Sequence, residues 1–308
     1  MVYAGLDVSK LHLDLFIGEV VRLDNNKRGF KELCSLIPQG CIVVMESTGG
    51  FERDCAAALR EAGFGVCIMN PMLVAAFRRS LGFRAKTDCI DAEVLARFGE
   101  ANKLESQQPC GNPELKAAVA RMGQLRVVLV AEKNRSKLAQ GYARESILRS
   151  VAFLKQEVKL LKAEMRRIMR ESEDLIAQRD ALYGVKGIGE VVATTLLACM
   201  PELGSITGKQ AASLAGLAPH AFESGGFKGK RHISGGRAIV RSMLYLAAMS
   251  AIRRAGFLRD MYQRLRAAGK AAKIAIIACA RRLLVIANAK IRDAKHLKGG
   301  RSVAPEYA

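Results

Sequence analysis

The sequence predicts an α/β region followed by a helical one: a mixed sheet covered by helices, then a helical segment of coiled-coil type, then a mainly helical C-terminal part. Three observations carry this. Short apolar runs of strand periodicity alternate with amphipathic helical spacing through the first hundred or so residues. Gln107-Gln108-Pro109-Cys110-Gly111-Asn112-Pro113, with two prolines bracketing a glycine, reads as a linker. From Leu115 to about Leu182 there is no proline and little glycine. The boundaries expected are 1–108, 114–180 and 181–294, with 295–308 a basic tail.

Val2 to Val8 is a short apolar run containing Asp7, and Leu11, Leu13, Leu15 and Ile17 alternate with His12, Asp14 and Phe16 as in a second strand. Gly18-Glu19 turns into a third run, Val20 to Leu23, and Asn26 to Leu36 has helical spacing with Phe30, Leu33 and Cys34 on one side. Cys41 to Met45 is continuously apolar, as suits a central strand covered on both faces, and ends in Glu46. Gly49-Gly50 permits a sharp turn into a helix over Phe51 to Ala62. A strand over Val66 to Met69 follows, then Pro71 at a helix start. Lys86-Thr87-Asp88-Cys89-Ile90-Asp91-Ala92 opens another helix, continued by Val94, Leu95 and Phe98. Three hairpin-linked strands followed by β-α-β crossovers make a mixed sheet.

That order puts Asp7 in the first strand and Glu46 at the carboxyl end of the fourth, where open α/β sheets place their sites. Asp88 and Asp91, three residues apart, share a helix face at the end where partial positive charge gathers. Taken singly each has a plain structural reading. Asp88 serves as an N-cap with Asp91 at the third helical position, and Asp7 and Glu46 as residues that end strands. The joint pattern is more specific than any member.

Beyond the linker, Val151, Leu154, Val158, Leu161, Met165 and Ile168 step by three and four, with Ser172 and Leu175 continuing the register. Leu115, Val119, Met122, Leu125 and Leu129 form a second stripe, and Gln140-Gly141 offers a bend, so a helical hairpin or a coiled coil between protomers is expected. Gly184-Val185-Lys186-Gly187-Ile188-Gly189 then feeds an apolar helix over Val191 to Met200. Such a turn either presents N–H groups to a phosphate or simply joins two helices. Phe222 to Arg237 reads as a flexible cationic loop carrying Ser224, Lys228, Lys230 and Arg231, after which Arg237 and Arg241 lie one turn apart on a helix. By its chemistry alone Ser224 reads as a hydrogen-bonding residue of a phosphate-gripping loop, since no histidine is fixed nearby to activate it. Lys273 to Ile291 forms a further amphipathic helix.

Half of the 308 residues are hydrophobic, enough for a sizeable core, and a formal charge of +20 spread along the chain favours a polyanionic partner, nucleic acid first. No apolar run is long enough to span a bilayer, and no secretory signal is evident, Asp7 and Lys10 interrupting the start. Eight cysteines without a C-x-x-C pair, and four scattered histidines, argue against zinc and read as buried thiols in a reducing cytosol.

Gly5-Leu6-Asp7-Val8-Ser9-Lys10, Met45-Glu46-Ser47-Thr48-Gly49, Lys86 to Ala92, Gly187-Ile188-Gly189, Phe222-Glu223-Ser224-Gly225 and Arg241-Ser242-Met243-Leu244-Tyr245 resemble, in order and spacing, the motifs of the DEDD transposases. These are the recombinases of the bridge-RNA-encoding insertion sequences of the insertion-sequence one-ten group, which also includes DNA invertases. The resemblance implies a ribonuclease H-like (RuvC-like) N-terminal domain, a coiled-coil insertion and a serine-bearing C-terminal domain, the first and last meeting across protomers. It puts the acidic tetrad on Asp7, Glu46, Asp88 and Asp91, as ligands of Mg²⁺ or Mn²⁺, and the catalytic serine on Ser224. A bound cation lowers a hydroxyl's pKa, so no histidine base is then required.

The implied partners are donor and target DNA, a noncoding guide RNA, and further copies in a homodimer or homotetramer through the coiled coil, in a prokaryotic cytosol near the nucleoid. Phosphate contacts by Lys186, Lys228, Lys230, Arg231, Arg237 and Arg241 are expected from charge. Four functions stay open: a guided transposase working through phosphoserine, an invertase of the same chemistry, a ribonuclease H-like or junction-resolving nuclease using the carboxylates alone, and a non-enzymatic nucleic-acid-binding protein. Without a cation between them the acidic side chains should splay apart, or the Asp88 helix should begin in disorder.

Overall fold

The computed structural model describes residues 2–82, 88–107, 110–220, 223–224, 227–229 and 231–298, with backbone alone for Asp88, Cys89, Glu223, Ser224, Phe227, Lys228 and Lys298. The chain divides into two compact units, Met1–Pro109 and Cys110–Ala308.

In the first unit the elements run β1 (Tyr3–Val8), β2 (His12–Phe16), β3 (Val20–Asp24), α1 (Lys27–Leu36), β4 (Ile42–Glu46), α2 (Arg53–Glu61), β5 (Gly65–Met69), α3 (Pro71–Ser80) and α4 (Asp88–Asn102). The sheet order is β3-β2-β1-β4-β5. β1, β2 and β3 pair antiparallel, and β4 and β5 add in parallel to β1. This is the ribonuclease H-like mixed sheet. Alternation along the strands separates two cores. Leu6, Leu13, Leu15 and Met45 point to a layer containing Leu33 of α1 and Leu59 of α2. Tyr3, Ile42, Val44 and Cys67 point to the other, with Val74 and Phe77 of α3 and Val94 and Leu95 of α4. The start signals act locally: the Asn26 side chain accepts from the N–H groups of Arg28 and Gly29, and Asn70 caps α3 ahead of Pro71.

Gly5 decides how α4 lies. A Cβ there would stand 1.8 Å from the Ala92 carbonyl oxygen and 2.7 Å from the Ala96 nitrogen, so only glycine lets the helix backbone settle on β1.

The second unit holds α5 (Pro113–Arg135), α6 (Gly141–Arg170), α7 (Glu173–Tyr183), α8 (Glu190–Cys199), α9 (Gly208–Leu214), β6 (Pro219–His220), β7 (Glu223–Ser224), β8 (Phe227–Lys228), β9 (His232–Ile233), α10 (Ala238–Ala251), α11 (Phe257–Ala267) and α12 (Ala272–Lys298). α5 and α6 pack as a hairpin, with Leu115, Val119, Met122 and Leu125 buried on one and Val151, Leu154, Met165 and Ile168 on the other. The expected seam stops short, however. Glu171 ends α6, and Ser172 (φ −124°) is the N-cap of α7, its hydroxyl accepting from the Leu175 N–H at 3.3 Å. Ser172 followed by Glu173 and Asp174 is strong helix-start chemistry, and it prevails over the heptad spacing.

α8, α10 and α12 bury Leu196, Leu244, Leu283 and Leu284 in the main helical core. Buried Asn288 of α12 accepts from the Gly204 N–H and donates to the Ile206 carbonyl, both at 2.8 Å. The expected loop over 222–237 is different too: its described parts include short strands, β7 pairing with β8, and β9 pairing with β6 just ahead of the stretch. Among the described residues no helix is long and apolar enough to cross a membrane. The seven described cysteines are free, and burial pushes the Cys55 thiol up to about 12.

Candidate active site

The last recorded β1–β4 pair is Leu6 with Met45, so Asp7 and Glu46 come next to each other across the two strands. On the other side Asp7 stands directly opposite Asp14 of β2, and Asp14 opposite Arg22 of β3. Glu46, Asp7, Asp14 and Arg22 therefore form one row. It lies on the α4 face, since Asp7 alternates with Leu6 and shares its side of the sheet with Gly5.

α4 runs antiparallel to β1, for Gly99 lies against Tyr3 and Ala92 and Ala96 against Gly5. Two further strand residues rise about 6.6 Å, the length of about four helical residues, which brings the first turn of α4 level with Asp7. Asp88 and Asp91 are on that turn. The backbone of Asp88 is described but not its side chain, and Lys86 and Thr87 lie outside the described residues. Asp91 is bonded to Arg78 of α3 at 3.0 Å, both side chains being about one-fifth exposed. An arginine thus offsets the carboxylate that was expected to splay. Among the described residues no three His, Cys, Asp or Glu side chains come together as a metal cage.

The turn after Glu46 is gathered by Glu52, which is 6% exposed. Its Oε2 accepts from the Thr48 hydroxyl at 2.7 Å, the Gly50 N–H at 2.8 Å and the Thr48 N–H at 3.2 Å, and Oε1 accepts from the Ser47 hydroxyl at 3.4 Å. Burial pushes the Glu52 carboxyl up, but these donors outweigh it and hold the group below its ordinary value. Asn25 joins the same region to β1, its amide donating to the Ser9 carbonyl at 2.7 Å and the Phe51 carbonyl at 3.3 Å.

In the second unit Ser224 pairs with Phe227 in the β7–β8 ladder. A Cβ on Gly216 would meet the Gly235 carbonyl at 2.2 Å, and Arg241 donates to that carbonyl. Arg237 donates to the Cys199 carbonyl at 2.8 Å and grips Glu202 through both terminal nitrogens. Its hydrogen bonds with Glu202 raise the guanidinium's pKa and lower the carboxyl's. Sequence charge pointed both arginines at phosphate; in the fold each has a structural task. Lys186 is exposed in the turn before α8, and Arg231 is exposed between the ladders. The Lys228 side chain and Lys230 lie outside what is described.

Two family models match the chain. One, a DEDD transposase model of the IS110 group described as "Transposase", covers residues 4–139, and the other, "Transposase IS116/IS110/IS902 family", covers residues 179–263. The chain belongs to the IS110 transposase family. Two curated relatives of this IS110-family transposase, each named "Pilin gene-inverting protein", come from Moraxella bovis and Moraxella lacunata. Each is 28% identical over 315 residues, which span 94% of this chain and 96% of the relative. The structure "T. thermophilus RuvC in complex with Holliday junction substrate" aligns with 34% of the transposase and 98% of that chain at 20% identity, with a TM-score of 0.26. That overlap is too slight to argue from, and the fold rests on the strand order.

The IS110 transposase is a DNA recombinase, an enzyme acting on DNA. Sequence reasoning did not single out Asp14 opposite Asp7, Arg78 bonded to Asp91 or Glu52 in the turn after Glu46. The alternation of Asp14 with Leu13 and Leu15 was a signal for a face of the sheet, but the pairing that sets it opposite Asp7 is not local.

Proposed function

We propose that this transposase cuts and rejoins DNA through a phosphoserine intermediate, with Asp7, Glu46, Asp88 and Asp91 as the acidic tetrad and Ser224 as nucleophile. The observation that carries the reading is the row of Asp7 and Glu46 level with the first turn of α4. Hard carboxylate oxygens at one end of one sheet face fit Mg²⁺ or Mn²⁺. Such an ion supplies Lewis-acid charge stabilisation to a phosphoryl group.

The Ser224 hydroxyl attacks the scissile phosphorus. One P–O bond forms to Oγ, the strand's P–O bond breaks, the serine proton is lost and the departing sugar oxygen ends as a hydroxyl. Because one phosphodiester replaces another, attack by a new strand's hydroxyl reverses the step without ATP. Lys186, Lys228, Lys230 and Arg231 bind phosphates of the bound nucleic acid. Ser224→Ala should abolish the covalent protein–DNA adduct trapped by denaturation. Adducts that persist would sink the serine role, and free ends without adduct in the unaltered protein would favour the carboxylate-only nuclease.

A structured noncoding RNA choosing the target by base pairing belongs to this reading through the family alone, and sequencing RNA copurified with the protein tests it. Self-association, as a homodimer or homotetramer, uses the outer face of the α5–α6 hairpin, where Val127, Val130 and Phe153 are more than half exposed. Light scattering of Val130→Lys and Phe153→Lys should report a smaller particle. The two pilin gene-inverting relatives favour a second role, inversion of a DNA segment by the same chemistry. An invertible segment beside the gene, in place of a mobile element with its RNA, decides for it.

A further inference from the structure

We propose that Asp14 and Arg22 form a charge-setting pair for the acidic row, in which Asp14 is a positioning residue that raises the row's affinity for a divalent cation and Arg22 limits it. The inference rests on the reading of Asp7 and Glu46 as cation ligands. It goes beyond the tetrad, to which neither Asp14 nor Arg22 belongs.

Asp14 is 2% exposed and directly opposite Asp7. Facing residues of an antiparallel pair hold their Cβ atoms about 4.5–5.5 Å apart, and like charges there destabilise the sheet. A buried ion pair offers little to offset this, since apolar residues of similar volume usually serve stability as well or better. Yet the position holds a carboxylate, and Arg22 grips it with two hydrogen bonds, Nε to Oδ1 at 2.8 Å and Nη2 to Oδ2 at 3.1 Å. The Arg22 side chain is 52% exposed, so it stays partly solvated while Asp14 is enclosed beside the row. This is the placement of a carboxylate that sits behind cation ligands, orienting them and adding negative potential without ligating.

The pair makes a prediction that a structural staple does not. Asp14→Asn removes a negative charge from beside Asp7, and Arg22→Gln removes a positive one. Both break the same ion pair, so a staple would respond alike to both. A charge-setting pair responds with opposite sign.

The test is calorimetric titration of the DNA-free full chain with Mn²⁺, beside circular dichroism to establish folding. Asp14→Asn should weaken binding about tenfold or more, the scale found when such supporting carboxylates are lost. Arg22→Gln should tighten it, and the double variant should return towards the unaltered protein. The Mg²⁺ concentration giving half-maximal strand cleavage should move in the same opposed senses. Shifts of the same sign in both single variants, or no shift in either, overturn the proposal. Should Asp14→Asn fail to fold, Asp14→Asn in the Arg22→Gln background, compared with Arg22→Gln alone, carries the same sign test. Asp7→Asn separates the two levels of inference. If it leaves Mn²⁺ binding intact, the cation reading of the row is wrong. If it abolishes binding while the two variants shift together, only the Asp14–Arg22 inference falls.

Discussion

Gly5→Ala tests whether the contact between α4 and β1 builds the site. The new methyl would sit 1.8 Å from the Ala92 carbonyl oxygen, against an ordinary carbon–oxygen contact of about 3.3 Å, so helix and strand must part by about 1.5 Å. The obstructing atom is helix backbone, which no rotamer change can move aside. Overpacking of this kind costs about 1–3 kcal/mol. Because Ala92 directly follows Asp91, the displacement passes to the first turn of α4, and a misplacement of about 1 Å can cost about 100-fold in rate.

Urea unfolding should show a lower midpoint at unchanged slope, and strand cleavage should fall about 100-fold at a temperature where the variant is fully folded. Gly99→Ala is the control. Its methyl would press on Val44 Cγ2 at 2.7 Å and Tyr3 Cδ1 at 2.8 Å, side chains of the sheet rather than helix backbone, at the far end of the helix from the acids. It should cost about 1–3 kcal/mol and leave cleavage nearly unchanged at a temperature where the variant is folded. A Gly5→Ala protein as stable and as active as the unaltered one refutes the close approach, and equal losses from both substitutions refute its link to the acids.

Glu52→Ala should destabilise the first unit by about 2–4 kcal/mol, measured by urea unfolding, because several donors around the turn lose their acceptor. Since the Glu52 carboxyl is held below its ordinary value, its contribution is full above that value and is lost as pH falls through the lowered one, so the unaltered protein should lose more stability on acidification than Glu52→Ala does. Glu202, lowered by its hydrogen bonds with Arg237, has the same sign, and Glu202→Gln should likewise flatten the acid limb of the stability–pH curve. Arg78→Met takes the cation from Asp91 and should lower the melting temperature in metal-free buffer, a deficit that saturating Mn²⁺ reverses. A deficit unmoved by Mn²⁺ would show the bond to be purely structural.

The elements of the first unit were legible because their causes are local. Continuous apolar residues at Cys41 to Met45, alternation from Leu11 to Ile17, Asn26 before a helical pattern and Pro71 at a helix start each act within a few residues. Legibility failed where local signals competed, as at Ser172, where a cap overrode a heptad. It failed again where a glycine-rich cationic stretch gained order from pairing, as around Ser224. The partners of Arg237 and Arg241 were hidden for a related reason. Charge in a sequence says that a side chain wants an anion or water, and Glu202 and the Gly235 carbonyl are partners that only the folded chain supplies.

By itself the sequence determined the order of strands and helices, the basic character that suits a nucleic-acid partner, and the motif spacing that marks the family. Only tertiary structure decided which carboxylates stand together. A strand exposes alternate residues to opposite faces, so a one-residue slip between β1 and its neighbours would turn Asp7 away from Glu46 and Asp14, and that register exists only once the strands pack. It is fixed by burying Leu6, Leu13, Leu15 and Met45 on one face and by the bare Gly5 backbone that admits α4 on the other. The packing of apolar residues thereby sets the acidic row.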